Sequence, residues 1–320
     1  MNEYELEGEG TSDVQTKAGG DSSVQKKPIK KASYESNADV QRWLQEQALE
    51  DGGTRPEFNP TFLASRRDGP WILSSLTHFY EHDLITDVLH VVKSGKEATV
   101  FCCAAHPSTD MEYLAAKVYR PRMFRSLRND AIYRQGRVLR DEDGKVLRGS
   151  RRQRSVRRRS ESERGRATQV ADWIGHEFET QRLLYSAGVD TPRPLAQIGN
   201  AVLMEYIGDL DDPAPLLREV TLSQEETQPL FECIIRNIDL CLAYDRIHGD
   251  LSEYNILYWH SGVTLIDFAQ AVDPQQNPEV FSLLVRDIER VCRYFARYGV
   301  EANATELAIE MWTRYFGTVL

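Results

Sequence analysis

The sequence predicts an α+β fold of two lobes, in which a β-rich lobe precedes a mainly helical one. Short runs rich in β-branched and aromatic residues, separated by turn-like tetrapeptides, fill residues 88–119, and two more such runs follow at 194–206. Beyond residue 208 the apolar residues recur with helical spacing, except in one hairpin at 256–266. Strands followed by helices in this order are typical of the α+β class.

Composition narrows the class of protein further. The chain has 320 residues, of which 41% are hydrophobic and 28% are charged, and this is enough to bury a sizeable core. No apolar run approaches the roughly 20 residues needed to cross a bilayer. Residues 1–15 are acidic and lack the apolar stretch of a secretory signal. We therefore expect no membrane association and a cytoplasmic location.

The chain divides into three parts by composition. Residues 1–38 are rich in Gly, Ser, Lys, Glu and Gln, and such a segment buries too little apolar surface to offset its ordering entropy, so we predict a disordered tail. Residues 39–84 contain two stretches of helical periodicity and are predicted to form an N-terminal helical extension. The main domain is 85–320, which we divide into an N-lobe, 85–207, and a C-lobe, 208–320.

A basic segment interrupts the N-lobe at about 120–167, between the third strand and the next helix. Residues 120–166 carry 17 Lys or Arg against 6 Asp or Glu, although the whole chain has a net charge of −10. The segment has no apolar periodicity, so we predict a mobile loop. Its densest part, Arg148–Arg166, is open to three interpretations: a solvated linker, a docking site for RNA phosphates, or an autophosphorylation segment. The serines within it are Ser150, Ser155, Ser160 and Ser162.

The strongest chemical signal is the segment 248–255, His-Gly-Asp-Leu-Ser-Glu-Tyr-Asn, which is followed after the hairpin by Asp-Phe-Ala at 267–269. Its spacing matches the H-R-D-x-x-x-x-N loop and the D-F-G segment of protein kinases. In this pattern Asp250 meets the acceptor hydroxyl. Asn255 and Asp267, at the entry and exit of the hairpin, hold Mg²⁺ with the hard oxygen ligands that this ion prefers. Asp287, on a predicted helix at 278–298, either braces this loop or is an ordinary helix-edge acid.

A lysine and a glutamate form a second candidate element. Lys117 lies in an apolar strand, where a charged side chain is costly unless it has a partner. On the helix predicted for 168–188, a rotation of about 100° per residue places Glu177 within the apolar face and Glu179 opposite to it. We therefore pair Glu177 with Lys117, as in the kinase arrangement that grips phosphates. A Glu177 that reaches solvent at the edge of the face is the alternative.

Two further segments are candidates for nucleotide contact. A turn joins the first two strands, where the Gly-rich loop of a kinase covers the phosphates. Because it has a single glycine, a simple connecting turn is the alternative. At the junction of the lobes, the backbone groups of Glu205 and Ile207 are expected to meet adenine. The residues of the turn are Ser94, Gly95, Lys96 and Glu97.

Four segments of the chain, among them the phosphate turn and the catalytic loop, together resemble the kinase domain of the RIO family of atypical serine/threonine protein kinases. The resemblance extends over about 88–295 and implies a two-lobed protein-kinase-like fold with a shortened C-lobe, so that 85–320 is a RIO-type kinase domain. It further implies ATP and Mg²⁺ as cofactors, a protein substrate, autophosphorylation and ATPase activity. The segments are 94–98, 212–217, 248–255 and 265–270.

The resemblance also implies roles for individual residues. Asp250 is the proton acceptor, Lys117 contacts the phosphates, and Asn255 and Asp267 hold Mg²⁺. Members of the family are thought to pass phosphate to the metal-binding Asp, here Asp267, and to act partly as ATPase switches in ribosome assembly. Their flexible loop between the Lys strand and the Glu helix corresponds to the basic segment. We find no winged-helix module before the core, and we therefore expect the chain to resemble the RIO subgroup that lacks this module.

Two other functions stay open. A nucleotide-gated assembly factor would bind RNA or a ribosomal particle through Arg148–Arg166 and use slow hydrolysis as its release step. An aminoglycoside- or choline-kinase-like enzyme would use a similar His-Gly-Asp loop on a small alcohol. Only 53 residues follow Asp267, however, and they leave little room for the helical substrate-binding portion of that group.

Overall fold

A computed structural model describes residues 58–62, 69–120, 163–276 and 280–317. Three predictions fall outside these ranges: the disordered tail, the first half of the helical extension, and nearly all of the basic segment. Within them, none of the helices has the length and apolar character needed to cross a membrane.

The N-lobe contains a five-stranded antiparallel sheet. Its strands are β1 (Ile85–Ser94), β2 (Ala98–Ala105), β3 (Tyr113–Tyr119), β4 (Pro194–Ile198) and β5 (Ala201–Glu205). They lie in the spatial order β1-β2-β3-β5-β4, so that β3 is the central strand. Within β3, Lys117 is paired with Val100 on one side and with Val202 on the other. The backbone of Lys117 is therefore held by strands on both sides.

The two faces of this sheet are covered by different helices. Side chains alternate along a strand, so neighbouring residues of β3 point to opposite faces. Val118 points to the face covered by α1 (Gly69–Glu81), the helix predicted for the end of the extension. Tyr119 points to the other face, where it packs against Trp173 of α2 (Glu163–Ser186). Lys117, two residues before Tyr119, shares this second face.

The helix α2 begins somewhat earlier than predicted and ends where the sequence indicates. Gly188 follows it with a φ of 83°, a left-handed conformation that glycine adopts without strain. The Gly188 N–H donates to the Tyr185 carbonyl at 3.1 Å, and the Val189 N–H donates to the Leu184 carbonyl at 3.0 Å. These two bonds form a Schellman motif. The prediction that this helix ends at Gly188 is confirmed, and Gly188 is its C-terminal cap.

The C-lobe is mainly helical, which confirms the predicted two-lobed α+β class. It contains α3 (Gln224–Ala243), the hairpin strands β6 (Ile256–Trp259) and β7 (Gly262–Leu265), α4 (Phe281–Ala296) and α5 (Ala304–Phe316). One apolar core joins all of these elements. Within it, Phe231 and Phe295 meet edge to face with ring centroids 5.5 Å apart. Ser223 and Glu226 form a capping box at the start of α3.

The turn of the hairpin differs from the prediction. The sequence predicts a three-residue turn of His260, Ser261 and Gly262, but Gly262 is already paired with Trp259, and the turn consists of His260 and Ser261 alone. These two residues have φ values of 47° and 58°, as a two-residue turn that matches the strand twist requires. The Ser261 hydroxyl donates to Glu226 at 2.9 Å, so a contact with α3 accompanies this uncommon backbone conformation.

A buried polar junction holds the hairpin against the helices. The Asp190 carbonyl, just beyond the end of α2, accepts the Leu265 N–H of β7 at 2.7 Å. The Asn237 side chain of α3 accepts the Asp190 N–H at 2.7 Å and donates to the Asp190 carboxylate at 2.8 Å. Asn237 is fully buried. This junction fixes β7, and therefore the position of Asp267 two residues beyond it.

We predict that Asn237→Ala lowers the free energy of unfolding by about 1–3 kcal/mol, because the substitution removes a fully buried amide and leaves the Asp190 N–H without its partner. Denaturant titration measures this change. Gln228→Ala is the matched control on the same helix, since Gln228 is exposed and is expected to change stability by less than about 0.5 kcal/mol. Equal losses in the two variants would contradict the role of the junction.

Candidate active site

Lys117 forms ion pairs with residues of both lobes. Its Nζ lies 2.6 Å from Glu177 Oε1, which is the contact expected from the face of α2 that Glu177 occupies. The same Nζ lies 3.0 Å from Asp267 Oδ1 of the C-lobe. Glu177 is buried, with 2% of its surface exposed, so the alternative of an edge residue that reaches solvent is wrong. The sheet, α2 and the segment after the hairpin thus converge on one cation.

Lys117, Glu177 and Asp267 shift one another's pKa values. Burial by itself would lower the pKa of Lys117, but the carboxylates of Asp267 and Glu177 outweigh burial and raise it above its ordinary value. Burial raises the pKa of Glu177 to about 7, against the opposing charge of Lys117. Burial by itself would raise the pKa of Asp267, but the Lys117 charge outweighs burial and lowers it. Lys117 therefore stays charged and keeps Asp267 ionised.

Tyr119 is a member of this cluster that sequence reasoning missed. Its hydroxyl donates to Glu177 Oε2, while Lys117 occupies the other oxygen of the same carboxylate. The Tyr119 ring also lies 5.1 Å from Lys117 Nζ and makes an edge contact with Trp173. The spacing of two residues between Lys117 and Tyr119 on one strand face is the sequence signal that could have indicated this contact.

Helix α4 braces the loop that carries Asp250. The buried Asp287 carboxylate accepts the Gly249 N–H at 2.7 Å and the Leu251 N–H at 3.1 Å. Arg286, next to it on the helix, donates to the Gly249 carbonyl. Burial raises the pKa of Asp287 to about 7, although these N–H donors oppose the shift. Of the two readings of Asp287, the brace is correct and the ordinary helix-edge acid is wrong.

The Asp250 side chain is half exposed, as access by an acceptor hydroxyl requires. Arg290 Nη1 of α4 lies 2.7 Å from Asp250 Oδ1, a contact that the sequence reasoning did not anticipate. The neighbouring His248 is buried, and its pKa is lowered by that burial. Its Nε2–H donates to the Ile266 carbonyl at 3.1 Å, which joins the loop to the segment before Asp267.

Asn255 and Asp267 lie together at the open end of the hairpin. The Ile266 N–H donates to the Asn255 carbonyl at 3.0 Å, so Asp267 directly follows a residue that is bonded to Asn255. The Asn255 amide nitrogen donates to the Asp250 carbonyl at 2.9 Å and leaves the amide oxygen as an acceptor. The Asp267 side chain is 44% exposed, and its φ of 72° is a left-handed conformation that is uncommon for non-glycine residues.

This donor set fits a magnesium ion. One amide oxygen and one carboxylate are hard ligands, and Mg²⁺ binds few protein groups while it keeps several waters. Among the residues that the structure describes, no group of three or more His, Cys, Asp or Glu forms a competing metal site. Asn255 and Asp267 would hold the ion.

The predicted phosphate turn is exposed at the edge of the same lobe. The Gly95 N–H donates to the Ala98 carbonyl at 2.9 Å, which closes the turn. The Arg120 guanidinium donates to Ser94 Oγ at 2.7 Å, and the Arg120 N–H donates to the Glu97 carbonyl at 2.7 Å. Lys96 extends from the turn and makes no ion pair with a described residue. Arg120 therefore orders the turn, and phosphate contact by the turn stays a prediction.

The residues of the predicted hinge, Glu205 and Ile207, lie at the end of β5 and just beyond it, and their contact with adenine stays a prediction. The Glu205 carboxylate accepts the Arg193 N–H at 3.0 Å, and the Glu205 N–H donates to the Arg193 carbonyl at 2.8 Å. The Ile207 carbonyl accepts the Ala214 N–H at 3.0 Å. The Ile207 N–H donates to no group in the described ranges and is available to hydrogen-bond adenine.

This arrangement defines the class of protein. A strand lysine held by a helix glutamate, opposite a loop aspartate and a second aspartate near an asparagine, is the machinery with which protein kinases position ATP and an acceptor hydroxyl. The chain is a kinase-like phosphotransferase. Comparison with family models is more specific, because the model of the RIO domain matches residues 142–308, just over half of the chain. The chain belongs to the RIO family.

Curated relatives agree with this assignment. The chain is 33% identical over 138 residues to the RIO-type serine/threonine-protein kinase Rio1 of Thermoplasma acidophilum, an alignment that spans 43% of the chain and 71% of the relative. It is 30% identical over 224 residues to Rio1 of Methanocaldococcus jannaschii, across 70% of the chain and 68% of the relative. The human serine/threonine-protein kinase RIO1 is 29% identical over 232 residues, across 72% of the chain but only 37% of the human protein.

Solved structures support the fold. The Rio2 kinase of Chaetomium thermophilum, in a complex described as ADP/Mg²⁺-phosphoaspartate, superimposes with a TM-score of 0.52 over 87% of each chain. Another crystal structure of the same kinase gives a TM-score of 0.51 over 88% of each chain. Sequence identity is 18% in both cases, so these likenesses bear on the fold alone.

We predict that Lys117 and Glu177 act as one unit, because removing either leaves the other charge buried without its partner. Lys117→Met and Glu177→Gln should each abolish most ATP turnover, and the double variant should lose little more than either single one. A double-mutant cycle on turnover measures the coupling, expected at about 0.5–3 kcal/mol. Glu179→Gln is the control, since Glu179 forms an exposed pair with Arg182 on the same helix. Additive losses would contradict the pairing.

Proposed function

We propose that the chain transfers the γ-phosphoryl group of ATP, with Mg²⁺, to a Ser or Thr hydroxyl of a protein, and that its own basic segment is one acceptor. The observation that carries this proposal is the pair of contacts from Lys117 Nζ to Glu177 and Asp267. They unite a phosphate-binding cation with a metal-binding carboxylate at one point between the lobes. A cytoplasmic location is part of the proposal.

Each residue has a defined task in this reaction. Lys117 binds phosphate oxygens, and the turn 94–97 lies at the same end of the sheet. Mg²⁺, when bound, neutralises charge on the transferred phosphoryl group. Asp250 accepts the proton of the acceptor hydroxyl while that oxygen bonds to the γ-phosphorus. The bond between the γ-phosphorus and the bridging oxygen breaks, and ADP leaves.

ATP hydrolysis is a second output that the same residues support. By analogy with the complex described for Rio2, the Asp267 carboxylate attacks the γ-phosphorus and releases ADP, which leaves an acyl phosphate on Asp267. Water then cleaves this acyl phosphate to inorganic phosphate and restores the carboxylate. The half-exposed side chain of Asp267 favours such access. Such a cycle suits a nucleotide-gated assembly factor that binds RNA or a ribosomal particle through Arg148–Arg166.

The alternative of an aminoglycoside- or choline-kinase-like enzyme has less support. The relatives are named as protein kinases. In the described part of the chain, the α-helices after Asp267 are α4 and α5. Helix α4 braces the Asp250 loop and α5 packs in the core, so neither is available to enclose a small alcohol.

We predict different defects for the two catalytic aspartates. Asp250→Asn should lower turnover by about 10²- to 10⁴-fold, the usual contribution of a general base, with ATP affinity retained. Asp267→Asn should mainly weaken ATP binding in the presence of Mg²⁺. Calorimetric titration with and without Mg²⁺, together with turnover, measures both effects. Asp110→Asn, at an exposed left-handed position that Asn tolerates, is the control. Normal turnover of Asp250→Asn would contradict the mechanism.

We also predict that incubation with labelled ATP and Mg²⁺ places label on serines of the basic segment. Each phosphate would reduce the positive charge there by about 1.5 to 2. Affinity for RNA should therefore fall after the reaction, and it should fall steeply with salt through counterion release. A variant with Ala at Ser150, Ser155, Ser160 and Ser162 is the control. Label recovered only as free phosphate or on Asp267 would favour the assembly factor, and label on an added aminoglycoside or choline would contradict the protein kinase.

A further inference from the structure

We propose that Arg290 is a positioning residue for phosphoryl transfer, which holds the Asp250 carboxylate by one oxygen so that the other faces the acceptor hydroxyl. The inference rests on the proposed role of Asp250 as proton acceptor. It assigns to α4 a task that neither the sequence motifs nor the family assignment includes.

The main chain and the side chain of Asp250 are held by different residues of α4. Asp287 and Arg286 bind backbone groups of the loop and so fix its path. The Asp250 side chain is 50% exposed, so packing restricts its rotamer little. Arg290, one turn beyond Asp287 on the same helix face, supplies the direct contact to that side chain, at 2.7 Å from Oδ1.

The two oxygens of the Asp250 carboxylate are therefore unequal. Oδ1 is occupied by the guanidinium, whereas Oδ2 has no hydrogen-bond partner among the described residues. An arginine suits this task because its planar donor group and permanent charge set a direction as well as a distance. With Oδ1 fixed, Oδ2 is the oxygen that receives the proton. The side chain is thus oriented before an acceptor arrives, and it need not be ordered in each turnover.

A purely structural role makes a different prediction. The Arg290 side chain is 32% exposed, and ion pairs at such positions contribute little to stability. If the pair were only a surface contact, its removal would change neither stability nor turnover appreciably. If Arg290 positions Asp250, its removal lowers the rate of the chemical step and leaves ATP binding unchanged.

The test uses the full chain with Arg290→Gln and Arg290→Lys. We expect Arg290→Gln to lower kcat by about 10- to 100-fold, as a misplaced reacting group does, while the KM for ATP stays within about twofold. Arg290→Lys should recover part of the loss, because Lys keeps the charge but not the fixed donor geometry. The matched control is Arg293→Gln, an exposed arginine one turn further along α4. Its kcat and thermal midpoint should equal those of the wild type.

Equal kcat values for Arg290→Gln and Arg293→Gln would overturn the inference, and so would a rise in the KM for ATP that accounts for the whole loss. Arg290→Lys covers the case in which the Gln variant is unstable, since wild-type turnover of the Lys variant would then contradict positioning. Asp250→Asn is measured alongside. If Asp250→Asn is active, the proposed function fails; if it is inactive while Arg290→Gln is normal, only the role of Arg290 fails.

Discussion

The structure depends on the accommodation of one partly buried cation, the Lys117 ammonium group, whose side chain is 12% exposed. Lys117 is on the central strand of the N-lobe sheet, and burial of its charge is favourable only because Glu177 and Asp267 lie within 3.0 Å of it. Glu177 is in turn bonded by Tyr119, and Asp267 is fixed by the hairpin that Asp190 and Asn237 anchor. Strands, α2 and the C-lobe hairpin are thus ordered around a single ammonium group. The same group is the one that would contact the phosphates of ATP.

Helix α4 is the second organising element, and it holds the loop that carries Asp250. Asp287 binds the backbone around Asp250, and Arg290 binds its side chain. The site therefore holds the phosphate-binding candidate, Lys117, and the candidate proton acceptor, Asp250, by different elements. Lys117, which we propose binds the phosphates, has a side chain that is 12% exposed and contacts both lobes, whereas the Asp250 carboxylate, which we propose meets the acceptor, is half exposed and is held by one helix. This separation explains how a C-lobe with few elements after Asp267 can still present an ordered base.

Local periodicity predicted the parts of the site that lie within single elements. The helical position of Glu177 and the strand position of Lys117 predicted their contact, because each follows from the repeat of its own element. The contact from Lys117 to Asp267 could not be derived in this way, since it depends on how the lobes meet. Arg290 was missed because an arginine at a helix edge is usually solvated. The hairpin turn was placed wrongly because Gly262 suggested a turn glycine, whereas His260 and Ser261 take the left-handed positions beside Glu226.

The central claim is that the Lys117 charge is held in place to bind the phosphates of ATP. Calorimetric titration of ATP and of adenosine into the wild type and Lys117→Ala tests it most directly, because adenosine lacks the phosphates but occupies the same base site. We expect Lys117→Ala to weaken ATP binding by about tenfold or more, the scale of a lost charge-assisted contact, and to leave adenosine binding unchanged. Unchanged affinity for ATP, or an equal loss for both ligands in a folded variant, would contradict the account.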